Sequence, residues 1–334
     1  MRDAAVAMST DRSWWTALAA ALAVVGALAG CTSTGTEADA PSPPPSQAPS
    51  ATSTQDDPTP AAEPGEERTS GRLGAAAAPP TGLVYYAGRR ARTGELLLFA
   101  EQSTFDGRGD LLPATREATG GAPVDPDYTS LWSGGAIASV RLFWDGDEGY
   151  YRVRLRDGRR TRRPAGTSMR EAHLAIQQVV WTLHSVGGIR APVRFSTGRD
   201  DDPVTDLLGV PATGPDDTYL AAHHSGVLSA VNILTPADGS PVDGVVEVSG
   251  LAESFEGTVG VRVRDQRGRV VLEDGAQAEQ CCGRLFPWTY VLDTTGWPSG
   301  TYTLEALTDD PVGIAQGSDG PEIETKTITI DQTE

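Results

Sequence analysis

Lysine is all but absent from this chain. Lys326 is the single lysine among 334 residues, beside 26 arginines. An arginine excess of this size, with the heavy alanine and glycine load, is the bias of a GC-rich genome. No single arginine is therefore strong evidence for guanidinium chemistry. Cysteine is nearly as scarce: Cys31, Cys281 and Cys282 are the whole set, which excludes a fold stapled by several disulfides. Positive charge is in deficit, with a net charge of −18. That argues against nucleic acid as a partner, and against overall electrostatic attraction to anionic lipid or acidic polymers. No nucleophile elbow or other triad signature occurs, so hydrolysis has no positive support. The acidic clusters Asp200-Asp201-Asp202 and Asp216-Asp217 lack the spaced ligands and central glycine of a calcium loop. They read as solvated loops. No catalytic residue, metal site or cofactor site is expected.

What is present begins with a leader. Arg2 and Arg12 precede an apolar run from about Trp14 that closes on Leu28-Ala29-Gly30-Cys31. A signal-peptide core is about 7–15 residues long, ends on small residues and is too short to span a bilayer. Leu-Ala-Gly-Cys is the pattern cleaved by the lipoprotein peptidase. The expectation is a signal peptide over 1–30 and lipidation (glyceride and palmitate-type chains) at Cys31, which anchors the chain on the extracytoplasmic side of the cell membrane. Residues 31–80 are rich in Pro, Ser, Thr and Ala, as in Pro41-Ser42-Pro43-Pro44-Pro45. Such a segment has too little apolar surface to offset its ordering entropy, and reads as a disordered tether.

About 250 residues remain, enough for two domains. In the first, expected over 82–222, Leu83–Tyr86, Glu95–Ala100, Ile137–Trp144 and Tyr150–Leu155 read as strands. Along the last of these Tyr151, Val153 and Leu155 alternate with Arg152, Arg154 and Arg156, so the arginines take the outer face of a half-buried strand. They belong to a basic cluster that includes Arg141, Arg159, Arg160, Arg162 and Arg163. Arg152, Arg154 and Arg156 are the candidate binding surface, with a merely solvated sheet face as the alternative. Ser168 and Glu171 form a capping box. Leu174, Ile176, Val179, Val180, Leu183 and Val186 follow at helical spacing, Gly187-Gly188 ends the helix, and Pro192–Ser196 is the next strand. A helix packed on a mixed sheet gives an α+β domain.

The second domain, expected over 230–331, is all-β. Seven short candidate strands separated by Asp-Gly, Arg-Gly and Ser-Gly turns suggest an immunoglobulin-like sandwich without the Cys–Trp–Cys spacing of antibody domains. Trp288 and Trp297 read as core or edge aromatics. Cys281-Cys282 can close a strained vicinal disulfide, with a redox or metal role open, or remain two thiols with one buried on a strand. His223-His224 reads as an exposed inter-domain linker. His173 and His184 lie too far apart on the helix to share a metal ion.

The order of several weak marks carries a family resemblance. Leu83-Val84-Tyr85-Tyr86, Asp125-Pro126-Asp127-Tyr128 with Trp132, and Gln178–Leu183 leading to Val193-Arg194-Phe195 resemble the sporulation and spore germination (GerMN) domain. Val231–Pro236, Pro241-Val242, Val248–Ala252, Phe255-Glu256-Gly257, Asp265 with Gly268, and Gly300–Thr303 resemble the immunoglobulin-like domain of bacterial spore germination proteins. The resemblance implies extracytoplasmic interaction modules and no enzyme. One departure stands out: Ala114–Pro123 has almost no apolar face where the GerMN domain carries its first helix, so that helix is expected to be short or absent. The leading expectation is a lipid-tethered, non-catalytic module docking on an envelope protein complex or the cell-wall polymer. The alternatives are a modulator of a membrane sensor kinase and, less favoured, a wall-processing enzyme using an acid pair among Asp200, Asp201, Asp202 and Glu171.

Overall fold

The computed structural model describes residues 82–105, 107–145, 148–198, 201–310 and 319–331. The leader, Cys31, the tether, Asp200 and the side chains of Arg159 and Arg160 lie outside the described residues. The chain opens with an antiparallel hairpin of β1 (Leu83–Arg89) and β2 (Leu96–Gln102). Helix α1 (Leu111–Gly120) follows, then β3 (Ile137–Asp145), β4 (Glu148–Leu155), α2 (Met169–Gly187), β5 (Val193–Thr197) and β6 (Asp202–Pro203). These four strands form one sheet in the order β3-β4-β5-β6. It is mixed, because β4 and β5 run parallel while the other pairs are antiparallel. A parallel pair needs a crossover, and α2 supplies it. Ile176, Val179, Leu183 and Val186 of α2 pack on Tyr151, Val153, Val193 and Phe195 of the sheet.

Both ends of α2 are set by local chemistry. The Ser168 hydroxyl accepts from the Glu171 N–H at 3.1 Å, and the Glu171 carboxylate accepts from the Ser168 N–H at 2.7 Å. Gly188 closes the helix with φ +67°, a left-handed cap that glycine adopts without a Cβ clash. The other face of α2 holds the β1–β2 hairpin. The Thr182 and Ser185 hydroxyls accept from the N–H groups of Tyr85 and Leu83. Buried Gln178 donates to the carbonyls of Tyr85 and Ala118, at 2.9 and 2.7 Å, and ties α2 to β1 and α1.

Helix α1 is present and ten residues long, against the expectation of a short or missing helix. Its buried face is Leu111, Ala114, Thr115, Ala118 and Thr119. The two threonine hydroxyls donate to carbonyls four residues back, at 2.6 and 2.7 Å, so a face that looks polar in sequence is satisfied internally and can be buried.

After a small ribbon of β7 (Asp206–Leu207) and β8 (Val210–Pro211), the second domain begins. Its strands are β9 (Val231–Thr235), β10 (Ser240–Val242), β11 (Val245–Ala252), β12 (Thr258–Arg264), β13 (Val270–Gln277), β14 (Phe286–Asp293), β15 (Gly300–Thr308) and β16 (Ile323–Ile330). They form a five-stranded sheet, β10-β16-β15-β12-β13, and a three-stranded sheet, β14-β11-β9. Inward residues of both, among them Val248, Val261, Trp288, Leu304 and Ile328, make one core, as a sandwich requires. Trp288 is buried in it and Trp297 packs at its edge.

Each domain thus has its own core, and a third apolar cluster belongs to both. Leu83, Tyr85, Leu98 and Leu174 meet Val227, Leu228, Leu234 and Leu251 there. The connecting segment 223–229 is part of the joint. The Leu98 N–H donates to the Val227 carbonyl and the Ser229 N–H to the Leu98 carbonyl, both at 2.8 Å, so this segment lies along the β2 edge. His224 is buried, and its Nε2 lies 2.6 Å from Glu253 Oε2 of the second domain. The reading of both histidines as an exposed linker fails for this residue. Only His223 is exposed. The described residues, all within 82–331, fall in one compact unit.

Candidate functional site

Three places carry the chemistry-bearing side chains. The first is the outer face of the mixed sheet. Strand register places Arg141, Arg152 and Arg194 side by side across β3, β4 and β5. The next row holds Phe143 opposite Tyr150, stacked at 5.5 Å between ring centroids. The Arg152 guanidinium lies 4.0 Å over the Phe143 ring and that of Arg194 lies 4.6 Å over Tyr150. Like charges on neighbouring strands repel. Asp201 offsets Arg152 at 2.8 Å and Asp216 offsets Arg194 at 3.8 Å. The Tyr150 hydroxyl and Asp201 both hold the Arg152 guanidinium charged. Of the three arginines expected here, Arg152 is central and Arg154 lies one row along, beside Ser196. Arg156 falls past the end of β4 and is exposed. Arg141 sat in the cluster seen in sequence, but the assignment of Arg194 to this row was not legible, because only the parallel β4–β5 pairing brings it there.

The second place is the joint between domains. The sole lysine is buried in it. Lys326 Nζ lies 2.6 Å from Asp125 Oδ2 and 3.1 Å from Glu324 Oε1, with side chains 3%, 4% and 2% exposed. It also donates to the Tyr128 hydroxyl at 3.2 Å and stands 4.4 Å over that ring. Glu324 accepts from the Tyr128 hydroxyl and the Ile233 N–H. Burial pushes the Glu324 carboxyl up to about 7, against the pull of Lys326 and these donors. The buried Tyr128 phenol is pushed well up by desolvation and by the Glu324 charge. For Lys326, burial works against the charge, but the Glu324 and Asp125 carboxylates outweigh it and its pKa is raised. Beside this network, Arg90 pairs with Glu322, and Glu322 accepts from the Ser229 hydroxyl. Asp125 and Tyr128 are marks noted in the sequence. Their buried partners, 201 and 196 residues away for Asp125–Lys326 and Tyr128–Glu324, left no local signal.

The third place is the 278–285 loop. Cys281 and Cys282 are both free and exposed there, so neither is buried on a strand. The Cys282 thiol is held up, first by its hydrogen bond with Cys281. Other residues singled out in sequence do not converge. Glu171 is occupied capping α2, and its hydrogen bonds with Ser168 hold its carboxyl low. Asp201 is paired with Arg152, and Asp202 lies exposed on β6. His184 Nε2 faces the Ala191 carbonyl at 2.8 Å, and burial lowers its pKa. Burial also lowers that of His173. Among the described residues no group of three or more His, Cys, Asp or Glu is placed to hold a metal ion. No described helix is long and apolar enough to cross a membrane.

Comparison with known families bears on the second domain. Residues 230–315 match the immunoglobulin-like domain of bacterial spore germination. The match spans β9–β15 and ends before β16, so this stretch of the sandwich is an immunoglobulin-like module of that type. Comparison with curated proteins gives no significant match. Two similar solved structures are CopC from Methylosinus trichosporium OB3b and the endo-β-1,4-mannanase from Thermotoga petrophila. CopC is 16% identical with a TM-score of 0.22, covering 31% of this chain and 96% of CopC. The mannanase is 16% identical with a TM-score of 0.25, covering 52% of this chain and 37% of the enzyme.

Proposed function

We propose that this chain is a non-catalytic binding module of the bacterial cell envelope, of the germination type, lipidated at Cys31 and held off the membrane by residues 31–80. The first domain is of the GerMN type on this reading. The observation that carries it is the fusion of the matched immunoglobulin-like module to its neighbour through a shared apolar cluster and a buried ion network. Two domains that share a core and a buried ion network offer a composite surface suited to docking. The outer sheet face supplies a docking patch. A row of arginines over stacked Phe143 and Tyr150 has the residue types that dominate interface energetics.

The test is co-sedimentation of residues 70–334 with intact cell-wall sacculi. Saturable binding that survives moderate salt supports a wall-docking module. Turnover of an envelope substrate at a saturable rate sinks the non-catalytic reading. The same patch favours a second reading, modulation of a membrane sensor kinase through its extracellular segment. Alanine at Arg141 and Tyr150 would then change kinase output in cells, and unchanged output counts against it.

A further inference from the structure

On the other side of the joint from the Lys326 network, a cavity of about 390 Å3 lies between α2, β1 and the 278–285 loop. That volume is in the range of small-ligand sites. Its apolar wall is Leu83, Leu228, Leu251 and Leu285, drawn from both domains. Tyr85 and Trp181 add aromatic surface, their ring centroids 6.2 Å apart. Two guanidiniums reach it from opposite domains. Arg190 lies 5.8 Å over Trp181, and Arg284 lies 4.5 Å over Phe286. Neither makes an ion pair with a described carboxylate, although the chain carries 45 acidic residues. Glu279 is the one carboxylate among the lining residues, and His224 is already engaged by Glu253. Trp181 presents its ring to this wall, while its Nε1–H is buried away from it without a partner.

We propose that this cavity binds a small amphipathic anion: one anionic group held by Arg190 and Arg284, on an apolar body that fills the leucine-lined wall and stacks on Trp181. Arginine suits the anionic end because its planar fork donates in pairs to carboxylate, sulfonate or phosphate oxygens. The site is separate from the outer sheet face, so docking there stands or falls independently.

The test uses two fluorescent probes with the same aromatic body, anionic 8-anilinonaphthalene-1-sulfonate and uncharged N-phenyl-1-naphthylamine, titrated into residues 70–334. The anionic probe is expected to show one saturable site, and to bind about tenfold more tightly than the neutral one. The double variant Arg190→Gln/Arg284→Gln removes that preference while its thermal midpoint stays unchanged, since both arginines are exposed. Leu251→Ala weakens both probes together. No saturable site, equal affinity for the two probes, or a double variant that keeps the preference overturns the proposal.

Discussion

Replacing Lys326 with methionine keeps the length of the side chain and deletes its charge. The substitution leaves Asp125 and Glu324, 4% and 2% exposed at the side chain, facing one another without a cation. Breaking a buried ion pair by removing one member costs about 3–5 kcal/mol, because the orphaned charge keeps its desolvation penalty. One relief is open to this site. The Glu324 carboxyl already sits up at about 7, and without Lys326 it rises further, so at low pH it takes a proton instead of standing as a bare anion. Urea unfolding of residues 70–334 should therefore show Lys326→Met destabilised by about 3 kcal/mol or more at pH 8, and by clearly less at pH 5. Asp125→Asn in the same background should recover part of the loss, with a coupling of about 1–3 kcal/mol as expected for residues in one network. A loss under about 1 kcal/mol at pH 8, or strictly additive single variants, would refute the claim that this ion network holds the domains together.

Glu324→Gln isolates the proton. A carboxyl raised in the folded state contributes stability that is full below its ordinary value of 4.5 and is lost as pH rises through about 7. The glutamine variant should remove a fall on the order of 3 kcal/mol between pH 4.5 and 8 in urea titrations. Parallel pH profiles for the two proteins would count against it. Iodoacetamide labelling followed by mass spectrometry should find both Cys281 and Cys282 reactive in the folded protein. Cys282 should react faster in Cys281→Ala, because the hydrogen bond that holds its thiol up is gone. Gly250→Ala puts a Cβ into the Asn232 carbonyl oxygen and 2.7 Å from the Trp288 ring. Overpacking of that kind should cost about 3 kcal/mol, read as a lowered urea midpoint.

Elements whose burial repeats at a local period were legible in the sequence. The capping box of Ser168 and Glu171 with the apolar spacing behind it fixed α2, and the Tyr151-Val153-Leu155 alternation fixed β4 with its arginine face. The sandwich strands were legible because each is bounded by its own turn. Strand β10 was missed, since three residues are too few to show a period and its place comes from parallel pairing with the distant β16 and from Val242 in the core. Helix α1 looked polar because a threonine that bonds its own backbone packs like an alanine. His224 looked exposed because its neighbours are polar, whereas its burial comes from Glu253, 29 residues onward. The sites are the least legible part. The arginine row needs the β4–β5 pairing, the Lys326 network needs both domains, and the cavity needs the loop of one domain against the helix of the other.

The shared cluster also decides how function should be dissected. Cutting the chain between the domains strips Val227, Leu228, Leu234 and Leu251 of the hairpin that covers them. It also leaves Lys326 and Glu324 without Asp125 and Tyr128. Either fragment then carries a new apolar patch and new unpaired charges, both of which destabilise it and promote nonspecific association. A lost phenotype in such a deletion would report the loss of the joint, whichever surface does the docking. Substitutions on the outer sheet face leave the joint intact. Arg141 makes no ion pair with a described residue and is exposed, so Arg141→Ala changes the charge of the patch with little effect on stability. Sacculus binding or kinase output that follows Arg141 while the unfolding midpoint holds still would assign docking to that face, which no domain deletion can do.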